Sequence, residues 1–159
     1  MSRELSPSAR KVQAALSTYG SDFNVVELPA STRTAQEAAQ AIGCEVAQIV
    51  KSLVFCTKQS NEPILILASG SNRVDEKKIG KLVATPIKKA DADFVKEKTG
   101  FAIGGVSPIG HKAPIRTYID EDLLQYKELW AAAGTPNAVF SLSSSDLEKM
   151  TGGEVISIK

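Results

Sequence analysis

Two runs rich in large apolar and β-branched residues, Ile49-Val50-Lys51-Ser52-Leu53-Val54-Phe55-Cys56-Thr57 and Pro63-Ile64-Leu65-Ile66-Leu67-Ala68-Ser69, are joined only by the polar Lys58-Gln59-Ser60-Asn61-Glu62. Strand-forming runs this close predict a hairpin. A second hairpin is predicted where residues 129–133 and 138–142 flank Gly134-Thr135-Pro136-Asn137, four residues of turn-forming type. Shorter strands are expected at 24–28, near Ile87, at 115–119 and at 155–158. Helices fall between them. Ser6-Pro7 starts one whose face carries Val12, Leu16 and Tyr19 and which Gly20 ends. Thr34-Ala35-Gln36-Glu37 reads as a capping box leading an alanine-rich helix to Gly43. Further helices are predicted at 75–83, at 91–98 with Gly100 closing it, and at 143–151, with Asp120-Glu121-Asp122 opening a short helical turn. Irregular interleaving of strands and helices with recurring hairpins predicts an α+β fold on a mixed or antiparallel sheet, not a doubly wound parallel one.

The 159 residues suit one domain spanning 1–159, with a core that needs no disulfide or metal to support it. Cys44 and Cys56 lack a C-x-x-C spacing and are read as small buried thiols of a reducing compartment. One histidine and two separated cysteines do not supply a zinc site, so no metal is expected. A formal charge of +1 leaves only a weak overall field, and any nucleic-acid contact must come from a local patch. With no apolar signal core at the start and no run of membrane-spanning length, the cytoplasm is the expected location, without a membrane or DNA partner.

Chemistry is suggested at two places. The run Gly104-Gly105-Val106-Ser107-Pro108-Ile109-Gly110-His111 holds three glycines, a proline and the sole histidine of the chain in eight residues. A turn needs one or two glycines, so the excess points to a stiff loop whose amides approach a ligand, although a tight helix-to-strand turn is the plainer reading. It matches neither the P-loop nor the dinucleotide fingerprint. Lys51 shares a strand face with Ile49, Leu53, Phe55 and Thr57, where an ammonium is costly without a partner. Either its stem lies on apolar surface while its head reaches water, the commoner arrangement for one lysine, or it faces a ligand in a cleft. His111 has no serine or cysteine partner in an evident triad. Six basic residues from Arg73 to Lys89 could follow a phosphate backbone but read better as a solvated helix face. Trp130 and Phe140 are expected in the core.

Thr34-Ala35-Gln36-Glu37-Ala38-Ala39, Gln48-Ile49-Val50-Lys51-Ser52-Leu53-Val54-Phe55, Gly70-Ser71-Asn72-Arg73-Val74-Asp75 and Thr99-Gly100-Phe101-Ala102-Ile103-Gly104-Gly105-Val106-Ser107-Pro108-Ile109-Gly110-His111 occur in the order seen in YbaK-like proteins. That family is similar to the editing insertion domain of bacterial prolyl-tRNA synthetase. The resemblance, running from about Thr34 to the C-terminus, implies a barrel-like, largely antiparallel mixed sheet surrounded by helices. It also implies a free-standing deacylase that hydrolyses the ester of a mischarged tRNA, without cofactor. In the family a lysine on the first long strand and a G-x-x-x-P loop form the site, which here map onto Lys51 and Gly104-Gly105-Val106-Ser107-Pro108. Thr34, Ser52, Gly110 and His111 are further candidates for substrate binding or support.

A second sieve of this kind is needed because small side chains differ by too little binding energy for one pocket to separate them. Family members remove alanine, cysteine, serine or threonine, and proline tRNA or a related tRNA is the implied carrier, with a synthetase or elongation factor as a further partner. A competing reading is a non-catalytic module that binds tRNA or a nucleotide and docks on a synthetase. A hydrolase of small esters unrelated to tRNA would lack a nucleophile motif.

Overall fold

A computed structural model describes residues 5–20, 22–29, 34–112 and 114–159. Along the chain lie α1 (Pro7–Ser17), β1 (Val26–Glu27), α2 (Ala35–Ile42), β2 (Ile49–Thr57), β3 (Pro63–Ser69), α3 (Glu76–Leu82), β4 (Ile87–Lys89) and α4 (Ala92–Thr99). They are followed by β5 (Arg116–Asp120), β6 (Leu129–Ala132), β7 (Ala138–Leu142), α5 (Ser144–Thr151) and β8 (Glu154–Ile156). Short 3₁₀ turns at Val46–Gln48 and Glu121–Gln125 precede β2 and follow β5.

Local chemistry accounts for the helix ends. Asp75, Asp91 and Ser143 cap α3, α4 and α5 by accepting free amides of the first turn, and the Ser143–Asp146 pair is reciprocal. Before α2, Thr34 Oγ1 accepts the Glu37 amide at 3.1 Å, while Glu37 Oε1 accepts the threonine hydroxyl at 3.2 Å. Gly43, Gly100 and Gly152 end α2, α4 and α5 in the left-handed conformation that a side chain resists. On α1 the buried face is Ala9, Val12 and Leu16. Tyr19 falls beyond the helix and is exposed.

The hairpin forms as expected, with β2 and β3 antiparallel from Val50 opposite Ser69 to Cys56 opposite Pro63. β6 and β7 make the second hairpin, and β1 adds antiparallel to β7. Three pairings are parallel: β2 with β6, β3 with β5, and β5 with β8. The sheet is therefore mixed, in the order β1-β7-β6-β2-β3-β5-β8 with β4 attached to β2, and this path has β1 and β8 as its two ends.

β3 explains the layering. Residues Ile64 to Ala68 are at most 1% exposed, because both of its faces are covered. Leu65 and Leu67 point with Val50, Val54, Phe101 and Phe140 into one cluster, while Ile64, Ile66 and Ala68 join Phe55, Ile79 and Tyr118 in another. Two expectations are corrected. Cys56 is buried but Cys44, beyond the end of α2, is only half-buried. Phe140 is core, whereas Trp130 is half-buried at a smaller cluster with Ala38, Ala39 and Ile49, because its strand lies at the edge of a cleft. Among the described residues no helix is long and apolar enough to cross a membrane.

The turn leaving β3 is packed without slack. The Gly70 amide donates to the Ile49 carbonyl at 2.8 Å, and a Cβ on Gly70 would stand 2.3 Å from the Val46 carbonyl oxygen and 2.9 Å from Ala35 Cβ. Gly70→Ala is expected to lower the unfolding free energy by about 1–3 kcal/mol, read as a lower urea midpoint at unchanged slope. An unaltered midpoint would show that this turn shifts freely.

Candidate functional site

In an antiparallel pair, successive residues turn their backbone groups to opposite edges. Gly70 N–H bonds to the Ile49 carbonyl and Thr57 N–H to the Glu62 carbonyl, so the odd-numbered residues of β2 face β3. Val50, Ser52, Val54 and Cys56 then offer their amides and carbonyls to the other edge. That edge is divided. β6 covers Ile49 and Val50, β4 covers Phe55 to Thr57, and the Ala90 amide reaches the Val54 carbonyl at 3.2 Å. Between them the stretch Lys51-Ser52-Leu53 has no strand partner on that edge among the described residues. It forms the floor of a cleft of about 820 Å³. Thr34 and Ala38 of the α2 segment, Trp130 of β6 and the turn at Ile103 and Gly104 stand around it, with Arg73 and Lys89 also lining it.

Lys51 is half-buried, and its Nζ donates to the main-chain carbonyl of Asn72 at 2.6 Å. Burial, and after it the positive charge of Arg73, hold the ammonium below the usual lysine range, while Asp120 acts in the opposite sense. An ammonium has three N–H donors, so the Asn72 bond leaves two for a ligand. On the other face of the strand, Ser52 Oγ is buried and has no hydrogen-bond partner among the described residues. An unsatisfied buried hydroxyl is unfavourable by roughly 1–3 kcal/mol.

The glycine-rich run divides into two parts. Gly104 and Val106 line the cleft; Gly105, Ser107, Pro108, Gly110 and His111 do not, and they support the loop. Gly104 has φ of 92°, in the left-handed region, and the Gly105 amide already donates to the Ala102 carbonyl at 3.0 Å. A Cβ on Gly105 would meet the Thr135 backbone at 2.9 Å, so the loop is pressed against the β6–β7 turn. Ser107 is fully buried and its Oγ accepts the Ile109 amide. Its carbonyl lies 2.6 Å from His111 Nε2, which must carry a proton to make that bond. The imidazole stands edge-on to Phe101, whose ring also has the Lys11 ammonium 5.2 Å from its centroid. His111 is thereby occupied in bracing the loop from behind.

Of the expected site residues the structure brings Lys51, Ser52, Thr34, Gly104 and Val106 to one place; Trp130, Arg73 and Lys89 also line the cleft and Asp120 stands behind Lys51, none of them among the expected site residues. The half-exposure of Trp130 is set by the tertiary fold and leaves no local mark in the sequence.

A central strand with a gap in its pairing, a lysine on the gap and a glycine-bearing turn beside it line one cleft of an α+β fold. Residues 29–150 match the aminoacyl-tRNA editing domain, and the chain belongs to that family. A crystal structure described as a "putative trans-editing enzyme for prolyl tRNA synthetase" superposes with a TM-score of 0.92 at 55% identity, over 98% of this chain and 99% of that one. The protein named "Uncharacterized protein YwhH" of Bacillus subtilis is 28% identical over 148 residues, 93% of this chain and 94% of that protein. That named "Putative Cys-tRNA(Pro)/Cys-tRNA(Cys) deacylase EbsC" of Enterococcus faecalis is 30% identical over 132 residues, 76% of this chain and 79% of its own length.

The bracing role of His111 has a pH signature. Burial is the main cause, and Lys11 a lesser one, that holds its imidazole below the ordinary 6.5, although the Ser107 carbonyl favours the proton. Below that ordinary value the unfolded chain takes up a proton that the folded chain resists, so stability falls as pH falls toward the depressed folded value. Between about pH 7.5 and about pH 5.5 the native chain should lose more unfolding free energy than His111→Gln, whose amide can still donate to Ser107. Equal losses in urea titrations would show that His111 titrates freely in the fold.

Proposed function

We propose that this chain is a trans-editing deacylase that hydrolyses the ester between a small amino acid, of the alanine, cysteine, serine or threonine type, and the terminal adenosine of a mischarged tRNA. The carrier in this reading is proline tRNA or a related tRNA, and the reaction belongs to the cytoplasm, where tRNA is charged. The carrying observation is Lys51, a half-buried cation with donors to spare, on a stretch of β2 that is strand-paired on one edge only and lines the cleft. Membership of an editing-domain family and the names carried by two similar proteins support the same reading.

The chemistry suits what lines the cleft. An aminoacyl ester is already activated, so an attacking water needs a positioned carbonyl and stabilisation of the oxyanion that develops. The free N–H groups of Lys51 supply positive charge to that oxyanion or to the adjacent phosphate. Main chain at Gly104 and Val106 holds the ester and ribose end, and Ser52, its hydroxyl buried in the cleft wall, supports the aminoacyl pocket. Ser52 is not a nucleophile in this scheme, because its Oγ has no base beside it and His111 is turned to Ser107. Thr34, at the rim, caps α2 and so holds that wall of the cleft.

The test is a deacylation panel of proline tRNA charged with alanine, cysteine, serine, threonine or proline, with free aminoacyl esters as control. Lys51→Ala is expected to lower turnover of the preferred ester by about 100-fold or more while circular dichroism and melting remain those of a folded protein. Undiminished turnover would remove Lys51 from the mechanism. Tight tRNA binding with no hydrolysis of any ester by the native chain would replace the enzyme with a binding module.

A further inference from the structure

The carbonyl that holds Lys51 is itself fixed by groups outside the cleft lining. Asn72 donates through Nδ2 to Asp120 Oδ2 at 2.8 Å and to Asp122 Oδ2 at 2.7 Å, using both hydrogens of its amide. Asp120, the last residue of β5, is 1% exposed. Its Oδ2 also accepts the Ser69 amide at 3.0 Å, and its Oδ1 accepts the Asp122 amide at 3.0 Å. Asp122 is tied outward to Lys159 at 2.9 Å. The turn is closed by the Asn72 amide on the Ser69 carbonyl, and Ser69 Oγ donates to the Ala47 carbonyl.

A buried carboxylate is costly unless its oxygens are satisfied. Here two of the three contacts of Asp120 fall on the turn 69–72, and the Asn72 carbonyl of that turn is what holds the Lys51 side chain. We propose that Asp120 is a positioning residue for Lys51, acting through Asn72: the carboxylate locks the amide, the locked turn aims its carbonyl, and the carbonyl holds a long, flexible side chain in one place. The inference rests on the role given to Lys51 above. The negative charge of Asp120 also favours the ammonium form, against burial and Arg73. A capping role in the 3₁₀ turn Glu121–Gln125, through the Asp122 amide, would by itself need neither the Asn72 nor the Ser69 bond.

The experiment uses the full chain with ¹³C-labelled lysine, the Lys51 ε-methylene signal being identified by its loss in Lys51→Arg. Asn72→Ala removes the amide but keeps the carbonyl, and Asp120→Asn removes the charge. Asn72→Ala carries the test should Asp120→Asn not fold. In both variants the Lys51 signal should move toward that of exposed lysines, while the kcat for the preferred ester falls about tenfold and KM stays within about twofold. A Lys51 signal that stays in place, or an unchanged kcat beside a lowered melting temperature, would overturn the proposal and leave Asp120 a stability residue. If the native chain hydrolyses no ester but the signal still moves, the hydrolytic reading fails and the positioning stands.

Discussion

Strand β2 has more demands on it than two edges can ordinarily meet. It lies against apolar clusters on both faces, where backbone amides and carbonyls left unpaired are costly, and one of its edges is fully bonded to β3. Its other edge is shared by β6 and β4, which come from opposite ends and leave a three-residue gap between them. The cleft lies at that gap in the sheet, and Lys51, Ser52 and the rim from Thr34 to Trp130 are arranged around it.

Around the gap, rigidity comes from close backbone contacts. Gly70 allows the turn after β3 to lie against Val46 and Ala35, and Gly105 allows the loop to lie against Thr135. These contacts leave little room for relaxation, so the two segments flanking the cleft are held by packing from behind. His111 contributes to the same end, through its ring bond to the Ser107 carbonyl and its edge contact with Phe101. A residue type known for proton transfer serves here in loop geometry, and the charge at the cleft floor falls to Lys51.

Electrostatics follow the same division. The ammonium of Lys51 is half out of water and near Arg73, an arrangement that disfavours its charge and that Asp120, set behind Asn72, opposes only in part. The carboxylate does not touch the lysine. It is connected to it through an amide side chain and a carbonyl, which separates the holding of the cation from its neutralisation.

Strand and helix positions were legible in the sequence because they depend on local rules: capping residues before α2, α3, α4 and α5, glycines after α2, α4 and α5, and continuous apolar runs for β2 and β3. The candidates Lys51 and Gly104 were legible because a cation and an excess of glycines are out of place in such surroundings, whereas Ser52 came only with the family resemblance. What the sequence could not decide is non-local. The parallel pairings of β2 with β6 and β3 with β5 join segments about fifty to eighty residues apart, and no periodicity records which strand edge a distant segment will choose. The gap in β2 exists only once β6 and β4 have both docked, and only then does Trp130 become a cleft wall, His111 a brace and Asp120 the support behind Lys51. Local propensity set the pieces; competition for the edges of one buried strand decided where the cleft lies.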